Sequence, residues 1–199
     1  MSNEIILIGT HQARLRGLLH EILYTGLVGN REVGNDDVGN REVGNDLINE
    51  IFVEKENSRM GRFMNCAVIK MIFNDKIKIS LEYQGQLDPS EEGVGRVYYI
   101  TGQSSAADNR KVFPTIEIPI PEEINSLNNK TIYVIRHGQA AHNPRTKLSK
   151  MFQSSVGFRN TSLTDIGREQ ARRAAGSMAR DISGVSAIAY LFASDLRRT

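Results

Sequence analysis

An arginine, a histidine and a glycine stand together at residues 136–138, directly after the apolar run TIYVIR. A second histidine, His11, follows the apolar run EIILIGT, and a third run, VSAIAYLFAS, leads into a segment that contains Arg198. Arginine pairs with phosphate oxygens through two parallel hydrogen bonds, and nearby positive charge keeps an imidazole neutral and nucleophilic at pH 7. Two imidazoles and two guanidiniums, with no cysteine and no clear carboxylate beside them, indicate a phosphate monoester as the ligand.

Strands are the elements that would have to position these residues. Continuous apolar runs with β-branched residues are typical of strands buried on both faces of a sheet. Ligands of parallel α/β sheets bind beyond the carboxyl ends of the strands. We therefore expect His11, Arg136, His137 and Arg198 to converge on one crevice, with His11 and His137 at the ends of neighbouring parallel strands.

Two amphipathic helices are predicted to flank the sheet. After His11, apolar residues recur at positions i, i+3, i+4, i+7 and i+8, counted from Leu15. The segment SLTDIGREQARRAAGSMARDI has the same character, and Thr164 or Ser162 is its expected N-cap. Its apolar face would contain Ala171, Ala174, Ala175, Met178 and Ile182. The predicted fold class is thus α/β, a parallel-type sheet flanked by helices.

The middle of the chain contains three different kinds of segment. Residues 28–47 consist of a ten-residue unit, VGNREVGND followed by Asp or Leu, that occurs twice; its turn-forming pairs and few apolar groups predict a loop. Residues 62–83 contain two strand-like runs around the turn NDK, which predicts an added β-hairpin region. Residues 114–130 are rich in proline and asparagine, a composition typical of a linker.

Composition excludes several classes of protein. The 25 Lys and Arg residues nearly balance the 23 Asp and Glu residues, and both signs are mixed along the chain, so no nucleic-acid partner is expected. Cys66 is the single cysteine, which leaves neither a disulfide framework nor a cysteine-based metal site, and no cofactor is indicated. The start of the chain is unlike a signal peptide, and no run is long enough for a membrane span. We expect no membrane partner and a cytoplasmic location.

Three motifs, RHGQAAHN, NTSLTDIGREQA and ASDLRRT, occur in this order. Together they resemble the amino-terminal half of the histidine phosphatase superfamily, which has the phosphoglycerate-mutase-like fold. The resemblance implies that His137 is the nucleophile that becomes phosphohistidine. It also implies that Arg136 and Arg198 hold the phosphate and that Asn143 lines the pocket. The implied activity is that of a phosphomonoester hydrolase or mutase, and the implied partner is a phosphorylated small molecule.

The opening segment, EIILIGTHQARLRGLLHEIL, resembles a later part of the same family. This part is a strand–histidine–helix unit in which a second histidine completes the phosphate pocket, and His11 would be that histidine. The chain has Gln12 where the family usually has glycine. Residues 1–113 thus resemble the late half of the fold and residues 131–199 the early half, joined by the linker at 114–130.

This reversed order makes the predicted fold permuted or incomplete, and three arrangements account for it. The chain is a circular permutant that closes one site from both halves, a slice across the junction of two tandem domains, or one of two copies that exchange halves in a homo-oligomer.

The resemblance also shows what this sequence lacks. In the family, an acidic residue between the second arginine motif and the second histidine protonates the leaving group, and no Glu or Asp of this chain stands in that context. General acid catalysis contributes about two to four orders of magnitude in rate. The alternative function is therefore a catalytically impaired or inactive phosphate-binding fragment.

Overall fold

The computed structural model describes residues 4–26, 63–86, 97–99, 110–120, 122–141, 160–182 and 187–194. The predicted repeat loop at 28–47 and two predicted site residues, Asn143 and Arg198, lie outside these ranges. The described strands are β1 (Glu4–Thr10), β2 (Val68–Phe73), β3 (Lys76–Tyr83), β4 (Val97–Tyr99), β5 (Arg110–Val112), β6 (Ile116–Pro119), β7 (Lys130–Arg136) and β8 (Ile188–Phe192). The described helices are α1 (Gln12–Tyr24), a 3-10 helix (Glu122–Leu127) and α2 (Asp165–Met178).

Six strands form one sheet in the order β6-β3-β2-β7-β1-β8, and β4 pairs in parallel with β5 in a separate two-stranded sheet. The neighbours β7, β1 and β8 are parallel, whereas β2, β3 and β6 continue the sheet through antiparallel pairings. The α/β class is confirmed, and the sheet is mixed rather than purely parallel. Strands from both ends of the chain lie side by side in it.

The antiparallel half of the sheet follows from local sequence patterns. β2 and β3 form a hairpin around Asn74 and Asp75, in which the Asn74 N–H donates to the Lys76 carbonyl at 3.1 Å. In β3, exposed lysines at 76 and 78 alternate with buried isoleucines at 77 and 79, as expected for a strand with one solvated face.

Residues 114–130, whose composition predicts a linker, contribute the edge strand β6. Prolines are tolerated at a sheet edge, where the missing N–H would otherwise face solvent. Ile116 and Ile118 are buried, and Ile118 lies opposite Ile77 of β3. The segment therefore packs as part of the sheet.

The two faces of the sheet carry separate cores. One face packs against α1 through Leu15, Leu19 and Leu23, all fully buried. Burial of each such side chain contributes about 1.5–3 kcal/mol. The other face packs against α2 and includes Tyr133, Ala174 and Met178.

The buried stripe of α2 differs from the predicted one. Gly167 and Gln170 are buried at its first turns, whereas Ala175 is exposed. These two residues contact Gln139, in the loop after β7, rather than the sheet. Because neither contact is apolar, the spacing of apolar residues does not predict them. No helix within the described ranges has the length and apolar character needed to cross a bilayer.

Within the apolar run at 185–194, residues Ile188–Phe192 form the strand β8 at the edge of the sheet, next to β1. Tyr190, Leu191 and Phe192 are 52%, 72% and 56% exposed. Its sequence is that of a buried strand, but its position leaves these side chains uncovered by the described residues.

Candidate active site

The carboxyl ends of the three parallel strands β7, β1 and β8 lie at the same end of the sheet. β1 and β7 pair along their whole length, from Glu4 opposite Lys130 to Thr10 opposite Arg136. The His137 N–H donates to the Thr10 carbonyl at 2.9 Å, so the pairing continues one residue past the strand. His11 and His137 thus follow directly paired positions, and the prediction that they lie at the ends of neighbouring parallel strands is confirmed.

The carboxyl end of β8 lies at the same end of the sheet. It pairs in parallel with the other side of β1, with Phe192 opposite Ile8. A hollow of about 340 Å³ at this end is lined by Thr10, Ser194 and Arg14. Arg14 was not singled out from the sequence, although its position in the first turn of the helix after His11 is the signal that could have identified it.

Arg136 is buried at this edge, with 6% of its surface exposed. Its Nη1 donates to the Phe63 carbonyl, and its backbone N–H donates to the Ala67 carbonyl at 3.0 Å. The Cys66 N–H in turn donates to the His137 carbonyl at 3.3 Å. The segment before β2 therefore holds the backbone of both residues and one end of the guanidinium.

Gln12, the residue that departs from the family's usual glycine, has a structural role here. With its amide nitrogen toward the Phe63 carbonyl (3.0 Å) and its amide oxygen toward the Phe63 N–H (3.2 Å), it pairs with both backbone groups of that residue. Because the Phe63 carbonyl also accepts from Arg136, the first residue of α1 and the last residue of β7 are connected through the backbone of one residue.

Cys66 lies in the wall of the site but is not poised to react. It is 2% exposed and adopts a left-handed backbone conformation with φ of 58°. Burial raises the pKa of its thiol to about 12, more than the positive charge of Arg136 lowers it. Since the thiolate is the nucleophilic form, this cysteine is an inert core thiol.

The imidazole of His137 is also buried, at 8% exposure, and its Nδ1 lies 2.6 Å from the Gly138 carbonyl. A carbonyl oxygen can only accept, so Nδ1 carries a hydrogen in this contact. In a neutral imidazole, Nε2 is then the nitrogen without a hydrogen.

Residues 137–139, called the His137 loop below, pack tightly on the start of α2. A Cβ at Gly138 would lie 2.4 Å from the Gly167 carbonyl oxygen, and a Cβ at Gly167 would lie 2.0 Å from the Gln139 carbonyl oxygen. Thr164 is the N-cap of α2, as predicted, and accepts from the Gly167 N–H at 3.0 Å. Sequence reasoning missed Gly167 and Gln170; the available signal was a glycine and a glutamine, three residues apart, on the inner side of an amphipathic helix.

An apolar groove of about 620 Å³ opens beside His137, between α2 and the strands β1 and β8. Leu7, Ile135, Ala174 and Leu191 are among the residues that line it. A substrate bound at His137 would therefore have an apolar wall along one side.

Residues 132–199 match the family model of the histidine phosphatase superfamily (branch 1). The matched stretch contains most of β7, together with the residues after His137, α2 and β8, and it confirms the family resemblance carried by the three motifs. No curated protein and no solved structure matches the chain.

Proposed function

We propose that this chain, in which residues 132–199 are a histidine phosphatase superfamily segment, hydrolyses phosphate monoesters through a phosphohistidine on His137. The observation that carries the proposal is the direct pairing of β1 with β7, which puts His11 and His137 at adjacent strand ends. His11 and His137 each follow one of these paired strands, and the buried Arg136 precedes His137; these residues are proposed to supply a nucleophile and positive charge for a phosphoryl group.

In the proposed first step, Nε2 of His137 attacks phosphorus in line with the ester oxygen. A nitrogen–phosphorus bond forms as the phosphorus–oxygen bond breaks, and the alkoxide or phenolate leaves with its electron pair and takes up a proton from water. A water molecule then attacks the phosphohistidine, which releases inorganic phosphate and restores the neutral imidazole. Arg136, Arg198 and Asn143 are proposed to hold the phosphoryl oxygens, and His11 is proposed to complete the pocket.

Positive groups fixed around a transferring phosphoryl group are often the largest single catalytic contribution. Arg136 suits this role because it directly precedes His137, is buried, and has one end of its guanidinium bound to the Phe63 carbonyl, which holds that end in place before a substrate binds.

We further propose that the segment resembling the late half of the family and the segment resembling its early half close one site within a single chain, as a circular permutant would. The support is that β1, from the first segment, lies between β7 and β8, from the second. Exchange of halves between two copies would give the same pairing in a dimer, so the mass of the active species separates these two arrangements.

The second candidate function is phosphate binding without turnover. It is favoured because none of the residues proposed for the site is a carboxylic acid that could protonate the leaving group. Such a protein would bind inorganic phosphate at the same edge but would accumulate little or no phosphohistidine.

The test is to incubate the protein with a small aryl phosphate, to follow release of the phenol and to trap acid-labile phosphate on the chain. Turnover and labelling are expected in the wild type, and His137→Ala should abolish both. His20→Ala is the matched control, since His20 is an exposed histidine of α1 that stacks on Tyr24. Equal activity in wild type and His137→Ala would refute the proposed function, and phosphate binding without labelling would establish the second candidate.

A further inference from the structure

The backbone of the His137 loop is bound at its far end by a side chain of α2. Gln170, which is 1% exposed, accepts a hydrogen bond from the Gln139 N–H through its Oε1 at 2.8 Å. Gln139 is itself buried and stands two residues after His137. A glutamine buried at this position of an otherwise amphipathic helix therefore has a specific backbone partner.

Thr164 binds the carbonyl and the side chain of Gln139. Its N–H donates to the Gln139 carbonyl at 3.0 Å, and its hydroxyl lies 2.5 Å from Gln139 Oε1. Gln170 and Thr164 thus bind the Gln139 N–H, carbonyl and side chain, from the first two turns of one helix.

The approach of loop and helix that permits these bonds depends on glycine. As the close contacts at Gly138 and Gly167 show, neither position has room for a Cβ, because the atoms met would be backbone carbonyl oxygens. The loop cannot move toward the helix, and its hydrogen bonds oppose movement away from it.

The two ends of the loop are fixed by different elements. At His137, the backbone is held by the Thr10 carbonyl and the Cys66 N–H, and at Gln139 it is held by α2. The His137 imidazole, whose Nδ1 contacts the Gly138 carbonyl, projects from the backbone between these two attachments.

We propose that Gln170 is a positioning residue, which sets the direction of His137 Nε2 by binding the Gln139 N–H. The expected effect on turnover rests on the proposed function, whereas the expected effect on the position of the loop does not. Removing the acceptor would take away the hydrogen bond that the N–H of the buried Gln139 makes with α2, and we expect the loop to shift in response. A displacement of about 1 Å at a reacting group can reduce the rate about 100-fold.

The first experiment measures the loop without relying on activity. Gln170→Leu removes the acceptor at similar volume, whereas Gln170→Glu retains an oxygen at the same place. In NMR spectra of the full chain, the Leu variant should show faster hydrogen exchange at the Gln139 amide and altered ¹⁵N shifts of the His137 ring. The Glu variant should lie closer to the wild type. Unchanged exchange and unchanged ring shifts in the Leu variant would overturn the proposal.

The second experiment measures turnover of an aryl phosphate. Gln170→Leu should lower kcat by about 10- to 100-fold with a much smaller change in KM, because the ligand still binds while the nucleophile is misdirected. Gln170→Glu should recover part of the loss. Ile77→Val is the control for general destabilisation, since this buried residue of β3 is not part of the loop or of α2, and its kcat should match the wild type.

The outcomes separate the two proposals. An inactive, unlabelled wild type with the expected NMR changes would refute the proposed function and support the positioning role. An active wild type whose Gln170→Leu variant keeps its kcat would refute the positioning role alone.

Discussion

His137 donates its backbone N–H to the carbonyl of Thr10 at 2.9 Å, across two parallel strands that are 126 residues apart in sequence register. Parallel neighbours need a long connection, and here that connection contains most of the chain. The consequence is chemical, because the residue that follows each strand is a histidine. The candidate site is therefore built by elements from both ends of the sequence, and neither end alone contains it.

The leaving group should decide how fast the proposed reaction proceeds. A phenolate departs without protonation, whereas an alkoxide needs a proton from a general acid, and none of the residues proposed for the site is a carboxylic acid. We expect an aryl phosphate to be hydrolysed at least about 100-fold faster than an alkyl phosphate of similar size, the range that a general acid contributes. Phosphate release from phenyl phosphate and from a cyclohexyl phosphate would measure this ratio. Similar rates for the two substrates would show that this chain does supply an acid.

Two glycines of α2 provide a matched pair for the packing of the His137 loop. Gly167→Ala would put a Cβ 2.0 Å from the Gln139 carbonyl oxygen, so the loop or the helix must move. We expect a loss of about 1–3 kcal/mol, the usual cost of overpacking. Gly176 has nothing within 4 Å of the corresponding position, and Gly176→Ala should stabilise the helix by up to about 1 kcal/mol. Urea denaturation of the two variants would give opposite shifts of the midpoint; shifts of the same sign would show that the contact at Gly167 is not rigid.

The same substitution tests whether the loop matters for chemistry. Gly167→Ala should reduce turnover of an aryl phosphate at temperatures where the variant is still folded, whereas Gly176→Ala should leave it unchanged. Retained activity in a folded Gly167→Ala variant would show that the exact path of the loop is unimportant.

Much of the sheet could be predicted because its strands carry strong local signals. Continuous apolar runs identified β1, β7 and β8, and alternation of lysine with isoleucine identified β3. The N-cap Thr164 followed from the chemistry of helix starts. These features are encoded by residues within a few positions of one another.

The position of a strand within the sheet depends on residues that are distant in sequence. For this reason, the edge positions of β6 and β8 were not predicted. The sequence of β8 is as apolar as that of a central strand, yet it lies at an edge because only β1 among the described strands pairs with it. The segment with Pro119 looks like a linker but pairs with β3 as the edge strand β6, since the lost N–H does little harm there. Gln170 is polar, so the spacing of apolar residues does not identify it. Its contact is one hydrogen bond from the Gln139 N–H, 31 residues earlier in the chain.

A partly buried cluster on the α2 side of the sheet should make stability depend on pH. Asp181, just after α2, forms an ion pair with Lys70 of β2 and accepts a hydrogen bond from the Tyr133 hydroxyl at 2.5 Å. The bond from Lys70, and then the one from Tyr133, hold the pKa of Asp181 below its usual value. Lys70 also lies over the Tyr133 ring, 5.6 Å from its centroid.

The sign of the effect follows from that depressed pKa. Above about pH 5 the carboxylate is ionised in both the folded and the unfolded chain, so the full contribution of the cluster is present. As the pH falls through about 4, the unfolded chain takes up a proton before the folded chain does, and the contribution is lost progressively until the pH is below the folded pKa. Asp181→Asn should cost about 1 kcal/mol or less at pH 7, because 35% of the side chain is exposed and solvent screens the pair. The difference between variant and wild type should shrink toward zero as the pH falls from 5 to 2. Urea titrations of both proteins across this range would measure it, and a difference that stays constant on acidification would show that the ion pair contributes no pH-dependent stability.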